Sequence, residues 1–142
     1  LVAVATDDTL EVLALEKARD QDEFVSMISK IVKNKVQFQS FCNEVTEIFN
    51  KLTVIHSEKE INFEWAMMLF HTLNGGFALY HIKALQLGAR KIEEEILNVK
   101  KDEELKKTYA PKLKESTESL KNEFKKFHCK KKFKQIITKF IL

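Results

Sequence analysis

Between Asp22 and Leu52 apolar residues recur at Phe24, Ile28, Ile31, Phe38, Cys42, Val45, Phe49 and Leu52, in alternating steps of four and three. Only Lys35 interrupts the series, and the stretch holds no Gly or Pro. An α-helix completes a turn every 3.6 residues, so this spacing predicts one apolar stripe along a helix of roughly eight turns. Such a stripe needs partner helices to cover it. The polar triplet Lys33-Asn34-Lys35 is where a kink is expected, and the β-branched Thr53 and Val54 are expected to end the helix.

The same reading places other helices around this one. A short first helix is expected from about Asp8 to Arg19, with Glu11 in the capping-box position. Asp20 or Asp22 then caps the long helix. Ser57-Glu58-Lys59-Glu60 has the form of a capping box and predicts a helix through Ile61, Trp65, Met68 and Leu69. Asn74-Gly75-Gly76 is expected to stop it, because both residue types tolerate the left-handed conformation. The alternative is that Gly75, Gly76, Ala78 and Gly88 lie inside helices as points of close approach.

From Phe77 a further stripe runs Ile82, Leu85, Ala89, Ile92, Ile96 and Val99. Ala110-Pro111 is expected to end that helix or its short extension, and Pro111 suits the first position of the next. The last stripe is Leu113, Thr117, Leu120, Phe124 and Phe127, after which the apolar phase slips near His128. The predicted fold is all-α, a compact bundle of five or six helices in a single domain over residues 1–142.

Composition supports this. Three Gly and one Pro in 142 residues leave few tight turns for a sheet, and eleven Phe against one Trp supply core filler. A chain this long buries roughly two thirds of its unfolded surface. No apolar run approaches the roughly 18 residues of a membrane span, so no transmembrane segment is expected.

Charge adds an asymmetry. Residues 121–142 hold eight Lys and one Glu, a balance of +7 in a chain whose net charge is +3, so the rest carries −4. Lys125, Lys126, Lys130, Lys131, Lys132 and Lys134 are the candidate contacts for a polyanion, since clustered ammonium groups neutralise sulfate or phosphate without regard to sequence. The plainer account is a solvated lysine-rich face. Phe124, Phe127 and Phe133 are expected in the core rather than stacked on bases, so a glycosaminoglycan or an anionic surface is the expected partner and nucleic acid is not.

Leu1-Val2-Ala3-Val4-Ala5 fits the end of a secretory signal, with Ala3-Val4-Ala5 matching the small-x-small cleavage pattern, although no basic segment precedes it. An ordinary apolar N-terminus is the other reading. Secretion makes a disulfide between Cys42 and Cys129 the expectation, against two buried thiols. Closing so long a loop removes on the order of 4–5 kcal/mol of unfolded-state entropy.

Candidate chemistry is sparse. His56, His71, His81 and His128 stand apart, without the converging ligands a metal requires, and no cofactor motif is present. His128 and Cys129 are helix neighbours that point in different directions, which does not make a nucleophile and base. Glu93-Glu94-Glu95 reads as solvated surface. Catalysis and metal binding are therefore not expected. Met67, Met68, Phe70, Phe77 and Tyr80 gather near the glycines, and Trp65, Met68, Phe77 and Tyr80 are the candidate lining of an apolar ligand pocket. Simple core packing explains them as well.

The Ala3-Val4-Ala5 end, the Lys-rich helical body and the widely spaced Cys42/Cys129 pair resemble the small secreted, all-helical mosquito salivary proteins of the neutrophil-stimulating type. That resemblance implies a non-enzymatic protein that binds host components and modulates leukocytes. The expected function is thus surface recognition of an extracellular macromolecule, the alternative being carriage of a small lipid-like ligand.

Overall fold

The computed structural model describes the backbone of residues 7–129, and the side chains of residue 15 and residues 21–128. Five helices make up this region: α1 Asp7–Lys33, α2 Lys35–Ser57, α3 Phe63–Leu79, α4 Lys83–Val99 and α5 Glu103–Cys129. The phase slip expected after His128 lies outside the described residues.

Helices α2 to α5 close into an up-down-up-down bundle, with α2 on α3, α3 on α4, α4 on α5 and α5 back on α2. Short connections impose the antiparallel order. Cross-helix pairs confirm it: Glu64 meets Lys100 while His71 meets Glu93. The expected stripes form the interior, with Val45, Leu52, Ile55, Phe70, Leu73, Phe77, Ala89, Ile96 and Leu113 fully buried. The second half of α1 lies at the α3–α4 turn, where Glu23 pairs with Lys83 at 2.8 Å and Met27 and Ile31 join the core.

The long helix expected over 22–52 is two helices. Asn34 leaves helical geometry at φ −131° and ψ 50°. Its side-chain amide donates to the Lys30 carbonyl at 2.8 Å, a local bond of the kind that competes with the helix ladder. The weak point at Lys33-Asn34-Lys35 is therefore a break. Upstream no break occurs, because helical backbone through Asp20–Glu23 satisfies its own N–H groups without a cap, so the expected first helix and the start of the second merge into α1.

Downstream, α2 passes the β-branched pair, since Thr53 donates to the Phe49 carbonyl and Ile55 extends the buried stripe. Ser57 is accordingly no N-cap: its hydroxyl donates to the Val54 carbonyl at 2.7 Å. Asn62 takes the cap of α3, accepting from the Trp65 N–H at 3.0 Å.

Gly75 and Gly76 lie inside α3, so the stop expected at Asn74-Gly75-Gly76 does not occur there. The helix ends about one turn later, at Leu79, in a Schellman motif, with Ile82 N–H donating to the Phe77 carbonyl at 2.9 Å and His81 N–H to the Ala78 carbonyl at 3.1 Å. His81 occupies the left-handed position at φ 57°, where glycine is usual. Pro111 also falls inside a helix, not at the start of one. Its ring removes the donor to the Lys107 carbonyl, but both residues are exposed, which leaves solvent to satisfy that carbonyl.

Candidate functional site

The four residues expected to line an apolar pocket do not converge. Twelve helix positions separate Trp65 from Phe77 and Met68 from Tyr80, which rotates each pair by roughly 120° at 3.6 residues per turn. Phe77 and Tyr80 therefore enter the core, while Trp65 and Met68 are 43% and 64% exposed. Around the inner pair, aromatic rings fill the space. Phe41 stacks on Tyr80 with centroids 5.1 Å apart and meets Phe77 edge-on at 5.7 Å, while Phe38 meets Tyr80 edge-on at 5.1 Å. Burial raises the Tyr80 hydroxyl above its usual pKa. Gly76 permits this packing, since a Cβ there would lie within 3.0 Å of the Phe41 ring.

The opposite side of α3 is the most distinctive external feature among the described residues. Trp65, Met68, Thr72, Gly75 and Leu79 follow one another in steps of three and four, and all five are exposed. No charged side chain interrupts the row. Thr72 turns its hydroxyl onto the Met68 carbonyl at 3.0 Å, which leaves its methyl group to the row. Around Gly75 a Cβ would meet nothing within 4 Å, so the backbone itself is open to close approach.

Polar borders flank the row. Toward α4, His71 pairs with Glu93 at 2.7 Å and Lys100 with Glu64 at 3.1 Å. Toward α2 lies an open groove of about 530 Å³, edged by Ser40, Asn43, Glu44, Glu47 and Lys51. An apolar strip with a polar rim is the composition of a protein-recognition patch. Sequence reading assigned Trp65 and Met68 to an internal pocket and so missed this face. The available signal was that α3 is apolar nearly all round, while a helix at the edge of a four-helix bundle covers only part of its circumference.

Elsewhere several polar side chains bond to one another. Glu93 and Glu95, expected as solvated surface, are half-buried and bonded: Glu93 to His71, Glu95 to the Tyr109 hydroxyl at 2.6 Å. Burial and that carboxylate push Tyr109 far above the ordinary tyrosine range. Thr117 and His56 form a hydroxyl–imidazole contact at 3.1 Å. Thr117 is 2% exposed and donates its proton to the Leu113 carbonyl at 2.7 Å, so no substrate reaches it as a nucleophile. Among the described residues no group of three or more His, Cys, Asp or Glu is placed to hold a metal, and no helix is long and apolar enough to cross a membrane.

The expected disulfide is not found. Cys42 is a free, buried thiol facing the α2 core stripe, and burial pushes its pKa up to about 11. Its place between Phe38 and Val45 on the covered side of α2 gives it the role of a small apolar filler. Cys129 is the final residue of α5, and its side chain lies outside the described residues. Of the basic cluster, Lys125 and Lys126 are exposed on α5, while Lys130, Lys131, Lys132 and Lys134 lie outside the described residues. Compared with protein-family models, curated proteins and solved structures, the chain finds no match.

Proposed function

We propose that this chain is a secreted, non-enzymatic recognition protein that binds an extracellular protein through the outer face of α3. The observation that supports this reading is the uncharged row Trp65-Met68-Thr72-Gly75-Leu79 on a helix whose other sides are occupied. Trp is enriched among the residues that dominate binding energy, and Met adapts to irregular partner surfaces. The bare backbone at Gly75 lets a partner side chain or helix approach closely. The resemblance to salivary proteins directs the first test to host leukocytes. Rings occupy the interior beside Phe77 and Tyr80, where the carrier alternative would seat its ligand.

The test is binding of fluorescently labelled chain to neutrophils by flow cytometry, for the wild type and for a Met68→Lys/Leu79→Lys variant. Wild-type binding should be saturable and the variant should lose tenfold or more in affinity, roughly 1.4 kcal/mol, with an unchanged circular dichroism spectrum. Both side chains already face water, so the substitutions spare the fold. Equal binding by the two proteins rejects the α3 face. Absence of wild-type binding rejects the leukocyte target.

A further inference from the structure

One half-buried titratable group has no part in the recognition face. His56 sits near the C-terminal end of α2, half-buried against α5, and its hydrogen bonds determine its tautomer. The Thr117 hydroxyl has a single proton, which it gives to the Leu113 carbonyl at 2.7 Å. The imidazole Nε2 at 3.1 Å must therefore carry the proton of the shared bond and donate to the Thr117 oxygen. It follows that Nδ1 is the bare nitrogen. That atom is shut off from solvent and has no hydrogen-bond partner.

The arrangement accepts only a neutral ring. A proton added at Nδ1 would create a buried donor with no acceptor and a charge with no counter-ion in contact. The charged groups acting on the ring come from α5, on either side of Thr117: Lys114 disfavours the cation and Glu118 favours it. In its own chain the run Glu58-Lys59-Glu60 follows, exposed and beyond the end of α2. Burial, reinforced by Lys114, outweighs Glu118 and holds the pKa of His56 below its ordinary value.

We propose that His56 is a proton-operated latch on the seam between α2 and α5, closed by the neutral ring and released when the ring is protonated. The contact ties residue 56 to residue 117, and its neighbours Ile55 and Leu113 are fully buried, so release exposes the core along that seam first. The sign follows from linkage. With a folded-state pKa depressed below the unfolded value of about 6.5, the stabilising contribution is complete above that value and is lost as pH falls through it. One proton is involved, so the folding constant drops by up to about tenfold for each pH unit below 6.5.

The experiment compares the wild type with His56→Gln, whose amide keeps a donor toward Thr117 and does not titrate in this range. Urea unfolding from about pH 7.5 to 5.5 should show the wild type losing up to about tenfold more in folding constant than the variant. Profiles that run parallel overturn the proposal. An NMR titration of the His56 ring in the native chain gives an independent reading, decisive even if the variant fails to fold. A midpoint below the ordinary histidine value is expected, and one at or above it overturns the latch. Hydrogen exchange separates the latch from general acid loosening. After correction for intrinsic rates, the segment 113–124 should open on acidification more than 85–96, and uniform opening refutes the seam.

Discussion

Gly75 and Gly76 are adjacent, both lie within α3, and replacing each with Ala should move stability in opposite directions. Glycine inside a helix costs roughly 0.5–1 kcal/mol relative to alanine, chiefly through the entropy of the unfolded backbone. At Gly75 a new methyl group meets nothing within 4 Å, so Gly75→Ala should recover that amount in full. At Gly76 the methyl group falls within 3.0 Å of three atoms of the Phe41 ring, Cε1, Cζ and Cδ1. Phe41 has little room to recede, because it stacks on Tyr80 at 5.1 Å and abuts Phe77 at 5.7 Å. Overpacking of this kind typically costs about 1–3 kcal/mol, which exceeds the propensity gain. Gly76→Ala should therefore be destabilised by about 1–2 kcal/mol net. Urea unfolding followed by far-UV circular dichroism measures both variants. If Gly76→Ala matches or exceeds the wild type, or if the two variants shift together, the close approach of α2 and α3 at this point is refuted.

His81 holds a left-handed backbone at φ 57° that a side chain disfavours, so His81→Gly should raise stability by about 1 kcal/mol, read from the thermal midpoint. The buried Cys42 thiol, with its pKa pushed up to about 11, should resist a thiol-specific reagent at neutral pH until denaturant is added, and rapid labelling of the folded chain would contradict the assigned burial. Retention on heparin should weaken with salt and fall when Lys130, Lys131 and Lys132 are replaced by Ala, whereas unchanged elution removes the basic C-terminal run as a polyanion contact.

Which features show in the hydrophobic pattern depends on the range of the forces involved. The buried stripes, Phe38 to Leu52 on α2, Leu85 to Ile96 on α4 and Leu113 to Phe124 on α5, were legible because periodicity is a local property of a helix. Helix ends were less legible. Asp20, Gly75-Gly76 and Pro111 all carry terminus signals, yet each lies within a helix, and Ser57 ends α2 instead of capping α3. Such preferences are worth about 1 kcal/mol, Pro about three times that, and burial of a continued stripe or solvation of a lost bond offsets them. Of the candidate site, Trp65 and Met68 stand out in the sequence, but their spacing there fits an interior position as well as an exposed one. An all-round apolar helix does not declare which side its neighbours will leave uncovered.

By itself, then, the sequence determined that this chain is helical, most of the residues that α2, α4 and α5 bury, and that Lys33-Asn34-Lys35 is a weak point. Those are consequences of spacing and of side-chain chemistry within a few turns. Tertiary structure decided the rest. It put Gly76 beneath Phe41, kept Cys42 as a free thiol, set His56 against Thr117, and turned Trp65, Met68 and Leu79 outward as one row. Each of these depends on which helix lies opposite, and that choice is made by packing between segments distant in the chain.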